Sequence, residues 1–484
     1  MKPVVALFVI LSATTIVSGS TIVRLNEHHE NLEIWSIFER LEKKCPDIMY
    51  FYDIGTNAAP VTIEGNHLLV LAIGKNPRNH VPGIPEFKYI ANMHGNEVVG
   101  RELLLTLAEY LCEEHRNKDK RVENLLSLTR IHLLPSMNPD GWNLATMYPG
   151  HKNYIGRENA AGVDLNRNFP DLDRIVFNNM LTNGPLDHVI PKNFSVAKLQ
   201  PETQMIIAWL NNINFVLSAN IHGGDLVANY PYDKSIDGSS KNEPTPDDNL
   251  FKELAASYSD FHPRMRTGRK PCHDGDEWFD HGTVNGARWY PISGSMQDYN
   301  YLATNTFEIT LELGCEKYPE AHELPGYWKE NKEALLNFIS QVHRGVKGLI
   351  TGYNGESVLP ISDAVVKVTN ITQPGQNQII FHDIRSGKDG DYYRLLTKGS
   401  YAIRAVAPGY ISEVACVDVG DSPVWGEPLE PAKTINFLLL AENLGKNARL
   451  QVPSIDLGSR NDKLCARFRD ELARDETPGS SSNS

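Results

Sequence analysis

Runs of apolar residues alternate with stretches of helical periodicity from about Glu27 to Gly345. Short apolar runs predict strands at His67–Ile73, Tyr89–Asn92, Arg130–Pro135, Phe215–Ile221 and Thr306–Leu313. Apolar residues recurring every three or four positions predict helices at Gly100–Glu114, Glu202–Asn212 and Tyr327–Arg344. Strands that alternate with helices are typical of an α/β domain with a mostly parallel sheet, and residues 27–345 are assigned to it.

The pattern changes after Gly345. Short alternating runs such as Ala364–Val368 and Tyr401–Val406 are separated by Gly, Asp, Asn and Pro, which predicts a small β-sandwich over residues 346–440. Residues 441–484 lose this periodicity, except that an apolar residue recurs every fourth position from Leu464 to Leu472. An amphipathic helix on a membrane or partner is one interpretation. A charged, flexible tail is favoured because charges of both signs surround a thin apolar stripe.

Composition narrows the class of protein. The chain has 484 residues, of which 41% are hydrophobic and 22% are charged, which excludes a disordered chain and a multi-span membrane protein. At roughly 100–200 residues per domain, this length predicts two or three domains. The 47 basic and 60 acidic residues give a net charge of −13, which argues against a nucleic-acid partner. An acidic surface permits cationic ligands without identifying one.

The first residues have the layout of a secretory signal. Met1 and Lys2 precede an apolar run, and small residues follow at Ser18–Ser20, so residues 1–19 are predicted to be removed. The apolar run is shorter than the roughly 20 residues of a membrane span, and no other stretch qualifies. Six cysteines without a CxxC pair and two glycosylation sequons, at Asn193 and Asn370, favour the same exported compartment.

Candidate metal ligands follow two predicted strands, where α/β proteins place their sites. His94 and Glu97 are three residues apart and can bind one Zn²⁺ from the same side. Among sixteen histidines about two such pairs are expected by chance, so a third ligand is required. His222 is the best candidate because two glycines follow it, although a packed core histidine is the alternative. Three protein ligands leave a fourth position for water, as in catalytic zinc sites.

Metal-assisted hydrolysis also requires a base. The predicted strand Thr306–Leu313 offers Glu308 and Glu312 on its polar face. Glu312 is favoured because it lies nearer the C-terminal end of the strand, whereas Glu308 is interpreted as a structural partner of a nearby base or backbone group. The chain contains no GxSxG, P-loop, GxGxxG or HExxH motif, which argues against a serine hydrolase, a nucleotide enzyme and a thermolysin-like protease.

Six ordered motifs resemble those of the zinc metallocarboxypeptidases: NMHGNE (92–97), PSMNPDG (135–141), GRENAAGVDLNRNFPD (156–171), SANIHGGDLVANYPYD (218–233), MQDYNY (296–301) and ITLELGC (309–315). The resemblance covers residues 27 to 440 and is greatest to the carboxypeptidase N/E regulatory subgroup. FPDLDRIV (169–176) and KDGDYYRLL (388–396) are most similar to its carboxypeptidase E branch. The resemblance implies the metallocarboxypeptidase fold, a mixed eight-stranded sheet flanked by helices, followed by a small all-β transthyretin-like sandwich.

The resemblance assigns His94, Glu97 and His222 as ligands of one Zn²⁺ and Glu312 as the catalytic glutamate, in agreement with the choice made from the residues alone. Arg157 resembles the arginine that polarises the scissile carbonyl and stabilises the developing oxyanion, a role suited to a permanently charged donor. Without the resemblance, Arg157 would be interpreted as a surface arginine.

Further residues match the family's substrate-binding groups. Asn166 and Arg167 resemble the pair that binds the free C-terminal carboxylate of the substrate, where a guanidinium can bind bidentately. Tyr290 resembles the mobile tyrosine that closes over the substrate. Without the family, the first two fit a helix cap and a surface ion pair equally well, and the tyrosine fits a core position.

Asp233 matches the acidic residue that selects a C-terminal Lys or Arg in the subgroup, and Gln297 resembles a polar neighbour in the same pocket. A buried carboxylate interacts more strongly with a cationic side chain than one in water, so one aspartate can decide specificity. An ordinary turn aspartate is the alternative for Asp233. The family's GGMQD becomes GSMQD here, with Ser295 at the second position, a change expected to stiffen the loop without removing a catalytic group.

The resemblance also implies two disulfides, Cys45–Cys112 and Cys272–Cys315, which the sequence alone does not select among the 15 pairings of six cysteines. The pairing of Cys416 and Cys465 stays open.

Together these observations predict a secreted, monomeric zinc exopeptidase that removes C-terminal Lys or Arg from peptides, with prohormone or neuropeptide intermediates as the expected substrates. The alternatives are an extracellular trimmer of circulating peptides like carboxypeptidases N and M, and a non-catalytic peptide-binding or sorting protein on the same scaffold. A separately cleaved basic pro-segment is not expected, because no basic run follows the signal. The tail lacks the strongly apolar aromatic ending through which carboxypeptidase E associates with membranes.

Overall fold

The computed structural model describes residues 21–148, 154–191, 194–268, 272, 278–373, 375–444 and 456–466. The predicted signal (1–19), the sequon at Asn193 and most of the predicted tail therefore lie outside the described residues. Before the sandwich, the helices are α1 (Asn31–Lys44), α2 (Val99–Arg116), α3 (Lys120–Leu128), α4 (Pro139–Met147), α5 (Asp173–Thr182), α6 (Pro201–Asn212), α7 (Asp248–Ser259), α8 (Gly286–Trp289), α9 (Met296–Ala303) and α10 (Leu324–Ser340).

One eight-stranded sheet forms the centre of this part of the chain. Its strands are β1 (Met49–Asp53), β2 (Leu69–Ile73), β3 (Glu86–Ala91), β4 (Arg130–Leu134), β5 (Phe215–His222), β6 (Asp225–Tyr230), β7 (Thr283–Asn285) and β8 (Phe307–Gly314). The strand order is β1-β2-β4-β3-β5-β8-β6-β7, parallel from β4 to β8 and antiparallel where β1, β2 and β6 join. The mixed eight-stranded sheet flanked by helices is thus confirmed.

The sheet topology places the ends of β3, β5 and β8 side by side. These three strands are neighbours and run parallel, so their carboxyl ends meet at one edge. His222 pairs in register with Glu312, and Ala91, three residues before His94, pairs with Ile221. The candidate ligands and the candidate base therefore converge on one edge, although more than 200 residues separate the first from the last.

A charged cluster lies inside the same sheet. Lys88 on β3 donates to Glu308 on β8 at 3.0 Å and to Ser218 on β5 at 2.7 Å, and all three side chains are buried. A buried ion pair needs such additional hydrogen bonds to offset desolvation. Glu308 is therefore partnered by a base inside the sheet, as expected, and does not face the cleft. Strand β3 begins earlier than the predicted strand, because its first residues include Glu86 and Lys88, which are charged but buried.

Two further sheets follow Arg344. Their strands are β9 (Val346–Tyr353), β10 (Val358–Pro360), β11 (Val365–Asn370), β12 (Gln378–Arg385), β13 (Asp391–Arg394), β14 (Gly399–Val406), β15 (Tyr410–Ile411), β16 (Glu413–Val419), β17 (Lys433–Thr434) and β18 (Phe437–Ala441). One sheet has the order β10-β9-β18-β15, with β13 and β17 also on β9, and the other has the order β12-β11-β14-β16. Their inner residues, such as Ile350, Val366 and Ile403, belong to the same hydrophobic core.

The sandwich is joined to the larger sheet through buried polar contacts. His80 bridges Glu86, at 2.7 Å, and Asp391 of the sandwich, at 2.8 Å. Arg394 binds Asp247 with its side chain fully buried. These contacts involve charged groups with little access to water, so they fix the orientation of the two parts more strongly than surface ion pairs do.

Three disulfides are present in the described residues. Cys45 is bonded to Cys112 and Cys272 to Cys315, as the resemblance implies, and Cys416 is bonded to Cys465. The third bond attaches α11 (Asp462–Ala466), a short part of the predicted tail, to strand β16.

Asn370 is the last residue of β11 and is half-buried, and its glycosylation stays a prediction. No helix in the described part of the chain is both long and apolar enough to cross a bilayer.

Candidate metal centre

His94, Glu97 and His222 point three ligand atoms at one another. The distance from Oε2 of Glu97 is 3.1 Å to Nδ1 of His94 and 2.9 Å to Nδ1 of His222, and the two Nδ1 atoms are 3.1 Å apart. All three residues are buried. Among the described residues this is the one such group of histidine, cysteine and acidic side chains with ligand atoms close enough to hold a metal ion.

The arrangement fits a tetrahedral ion. Ligands at about 2.0–2.1 Å from a tetrahedral Zn²⁺ lie about 3.3–3.4 Å apart, close to the separations in this triangle. Two imidazoles and one carboxylate are also the donor types that zinc accepts. Burial lowers the pKa of His222 to about 4, so this ring is neutral and ready to bind a metal well below pH 7.

Asp164, which is not among the predicted site residues, orients the ring of the candidate ligand His94. Its Oδ1 accepts a hydrogen bond from Nε2 of His94 at 3.0 Å, and its Oδ2 accepts one from Arg157 at 2.8 Å. Burial alone would raise the pKa of Asp164, but His94 and Arg157 hold it well below its usual value, so the group is a carboxylate. The signal was present in the sequence, since Asp164 lies inside the motif that supplies Arg157, Asn166 and Arg167.

Lys317 is a second residue that the sequence analysis missed. Its ammonium group donates to Oε1 of Glu97 and, at 2.7 Å, to the carbonyl of Gly223. Burial alone would raise the pKa of Glu97, but His94, Lys317 and His222 hold it well below its usual value. Oε1 of Glu97 is thereby bound by the protein, while Oε2 faces the two imidazoles.

Glu312 has the properties of a base close to the ligands. Its side chain is buried, and Oε2 has no hydrogen-bond donor in the described part of the chain. Burial and the nearby charge of Glu97 raise its pKa to about 8. A carboxylate with a raised pKa accepts a proton more readily than one in water, which suits a general base.

Arg157 extends over the same cluster. Its Nη1 lies 3.1 Å from Nδ1 of His94 and 3.4 Å from Oε1 of Glu97, and Asp164 anchors the other end of the guanidinium group. Its side chain is about one quarter exposed, at 24%. A guanidinium held in this position can donate to an oxygen that gains negative charge in front of the cluster.

Asn166, Arg167 and Tyr290 line the same cavity. Asn166 is buried, and its side-chain oxygen accepts from the backbone N–H of Met296 at 3.0 Å, so its amide group is held in place. Arg167 is exposed. Tyr290 is 46% exposed and packs against the ring of Trp289 at 4.8 Å. The tyrosine is therefore accessible from solvent and is not a core residue.

Asp233 lies in the interior of the cavity. Its side chain is buried, and Oδ1 accepts a hydrogen bond from Nε2 of Gln297 at 2.8 Å. Burial raises its pKa to about 6, and a hydrogen bond from Ser295 opposes this shift. Ser295 thus adds a donor to Asp233 and also caps helix α9 through the N–H of Asp298. A Cβ on Gly286 would lie 2.0 Å from Oδ1, so this position requires glycine.

The structure brings nine of the ten predicted catalytic, metal-binding and substrate-binding residues to the lining of one cavity: His94, Glu97, Arg157, Asn166, Arg167, His222, Asp233, Tyr290 and Glu312. The tenth, Gln297, lies behind Asp233 and binds it. The roles of these residues in substrate binding and turnover remain predictions.

The chain is similar to known carboxypeptidases over most of its length. The carboxypeptidase N catalytic chain of Mus musculus is 46% identical over 402 residues, covering 81% of this chain and 83% of that one. Carboxypeptidase E of Caenorhabditis elegans is 39% identical over 477 residues, covering 94% and 98%. Carboxypeptidase Z of Mus musculus is 43% identical over 390 residues, covering 79% and 57%. The zinc carboxypeptidase family model matches residues 34–334, and the chain belongs to this family.

Proposed function

We propose that this protein is a zinc-dependent exopeptidase that removes C-terminal Lys or Arg from peptides. The observation that supports the basic preference is Asp233, a buried carboxylate in the interior of the cavity that also contains the His94–Glu97–His222 cluster. A cationic side chain that enters this cavity meets a partner from which water is largely excluded, where a charge pair is worth more than at the surface.

His94, Glu97 and His222 would hold the Zn²⁺, which supplies Lewis-acid polarisation of a carbonyl and a water of lowered pKa when it is bound. Glu312 would take a proton from this water and return it to the leaving amine. Arg157, fixed by Asp164, stabilises the negative charge that develops on the carbonyl oxygen.

Asn166 and Arg167 would bind the free carboxylate of the substrate. The side-chain oxygen of Asn166 is already occupied by the N–H of Met296, so its amide N–H groups are the ones that face a ligand. A guanidinium group beside them offers two parallel donors to a carboxylate. Recognition of this terminal group would restrict cleavage to the last peptide bond, and Tyr290, a partly exposed residue of the same cavity, would cover the bound residue.

The proposed setting is the secretory pathway, with peptides left by prohormone cleavage at basic sites as substrates. The predicted signal and three disulfides support an exported protein. A second candidate is the trimming of peptides in extracellular fluid. It is favoured by the higher identity to the carboxypeptidase N catalytic chain, 46% against 39% for carboxypeptidase E, over a shorter alignment.

The test uses matched acyl-dipeptides that end in Arg, Lys or Leu, with the purified full chain. We expect release of Arg and Lys, loss of release with a chelator, and recovery when zinc is restored. Glu312→Gln is expected to lower kcat by about 10²–10⁴-fold while zinc content is unchanged, because only the base is removed. Release of Leu at the same rate would refute the assignment of Asp233, and no release from a folded, zinc-loaded sample would favour a non-catalytic binding protein.

The two settings differ in the pH at which the enzyme must work. Activity of the zinc-loaded enzyme on the Arg substrate should be compared at pH 5.5 and pH 7.4. A higher kcat/KM at the acidic pH supports processing inside the secretory pathway, whereas a clear preference for pH 7.4 supports extracellular trimming.

A further inference from the structure

Two more carboxyl groups lie directly behind Asp233. The backbone N–H of Asp233 donates to Oδ2 of Asp298 at 2.7 Å. The carboxyl group of Asp298 in turn contacts that of Asp173, at the start of helix α5. The exposed fractions of Asp173, Asp233 and Asp298 are 2%, 5% and 2%. Three carboxyl groups therefore share one buried region behind the pocket.

In the part of the chain that the structure describes, neither carboxyl group of the pair has a basic hydrogen-bond partner. Within the described ranges, neither Asp173 nor Asp298 is hydrogen-bonded to a lysine, arginine or histidine, and Oδ1 of each receives no N–H or O–H from another residue. The charge of Lys234 opposes the rise in the pKa of Asp173, but its ammonium group is hydrogen-bonded to Asp171, at 2.7 Å, and not to the pair. Two ionised carboxylates in contact without a counter-charge are strongly unfavourable, so a proton must lie between them.

We propose that Asp173 and Asp298 share one proton and act as a singly charged pair that strengthens the selection of basic side chains by Asp233. The pair acts in two ways. Asp298 fixes the backbone of Asp233 through the N–H bond, and the remaining single negative charge adds to the potential that a cationic side chain meets in the pocket. This inference rests on the proposed basic specificity and names two residues that determine its strength.

The protonation of the pair agrees with its surroundings. Burial, with the charges of Asp173 and Asp233, raises the pKa of Asp298 well above its ordinary value. Burial likewise raises the pKa of Asp173 to about 7. Because the groups interact, the first proton to leave belongs to the pair and not to either residue.

Asparagine substitutions change the charge of the pair while they keep the size of its side chains and their hydrogen bonds. In Asp298→Asn the amide oxygen still accepts the N–H of Asp233, the amide N–H donates to Asp173, and the pair keeps one negative charge. Asp173→Asn likewise leaves a single charge on Asp298. The double variant keeps an amide–amide hydrogen bond but is neutral. The single variants should therefore resemble the wild type, and only the double variant should lose the added charge.

The experiment compares kcat/KM for two acyl-dipeptides that end in Arg or in citrulline, which has a side chain of the same length but no charge. We expect each single variant to keep the Arg-to-citrulline ratio within about threefold, and the double variant to lower it about tenfold with citrulline turnover unchanged. Asp421→Asn, an exposed carboxylate paired with Lys398, is the control for the change in net charge.

Three results would overturn the inference: an unchanged ratio in the double variant, an equal loss for both substrates, or a single variant that loses as much as the double. A wild type without preference for Arg over citrulline would instead refute the proposed function. If the double variant does not fold, infrared difference spectra at pH 7 provide the second measurement. The difference between the wild type and each single variant should contain a protonated carboxyl band, to which Glu312, present in all of them, does not contribute. A difference spectrum without this band contradicts the shared proton.

Discussion

Oδ1 of Asp164 accepts a hydrogen bond from Nε2 of His94 at 3.0 Å. Since a carboxylate only accepts, Nε2 must carry the ring proton, and Nδ1 of the neutral ring is left with its lone pair directed at Glu97 and His222. The contact therefore decides which nitrogen of His94 is available to a metal ion.

Asp164→Asn is expected to weaken zinc binding by about 10–100-fold, because the amide no longer fixes the ring proton on Nε2 and Arg157 loses its anchor. The measurement is the zinc dissociation constant from competition with a chelator. Asp171→Asn is the matched control, since it removes a carboxylate that is bound to Lys234 and does not touch the cluster. Equal zinc affinities in both variants would refute the orienting role.

Arg167→Gln is expected to lower kcat/KM for peptides with a free C-terminus by about 10–100-fold, mainly through KM, since a charge-assisted hydrogen bond is worth about 1.5–3 kcal/mol. Peptides with an amidated C-terminus should be poor substrates of the wild type for the same reason. Arg174→Gln, at an exposed arginine on helix α5, serves as the control. Efficient cleavage of the amidated peptide by the wild type would contradict the carboxylate-binding role.

His80→Gln is expected to destabilise the contact between the sandwich and the larger sheet in a pH-dependent way. Although burial opposes the shift, the hydrogen bonds that His80 donates to Asp391 and Glu86 raise its pKa from 6.5 to about 9, so its contribution is complete below pH 6.5 and is lost as the pH rises through 9. The contribution of Glu86 to stability changes with pH in the opposite direction. Although burial opposes the shift, His132 and His80 lower its pKa from 4.5 to about 2, so its contribution is complete above pH 4.5 and is lost as the pH falls through 2.

Both contributions are complete only between pH 4.5 and 6.5. The difference in unfolding temperature between the wild type and His80→Gln should therefore be largest in this range and should shrink towards pH 9.5. His322→Gln, at an exposed histidine, is the control. A difference that does not change from pH 5 to pH 9.5 would show that the charge of His80 does not stabilise the interface.

Replacing both Cys416 and Cys465 by Ala is expected to destabilise the sandwich. The bond closes a loop with a sequence separation of 49 residues. Such a loop corresponds to a loss of about 4 kcal/mol when only the entropy of the unfolded chain is counted. The loss should be smaller, because Arg460 and Asn461 still hold this segment through Glu413 and the carbonyl of Cys416. Calorimetry on the full chain tests this, and an unchanged unfolding temperature would show that the bond adds no stability.

The sequence predicted those parts of the fold whose signal is local. Helix α6 and strand β5 agree with the predicted ranges to within one residue, because their apolar side chains repeat with the period of the element. The predicted strand was shorter than β3, since Glu86 and Lys88 are charged but buried, and their partners come from β4, β5 and β8. A hydrophobic pattern does not show a charge that is neutralised by residues distant in the chain.

The sequence by itself identified the candidate ligands and the candidate base of the site. Motif spacing and residue type were enough to select His94, Glu97, His222 and Glu312, because each stands at or next to the end of a predicted strand and has a side chain suited to its role. Tertiary structure alone decided the roles of Asp164, Lys317 and the Asp173–Asp298 pair. These groups act through contacts between segments far apart in sequence. The properties of a buried charge depend on its neighbours and on the exclusion of water, and the local sequence shows neither of them.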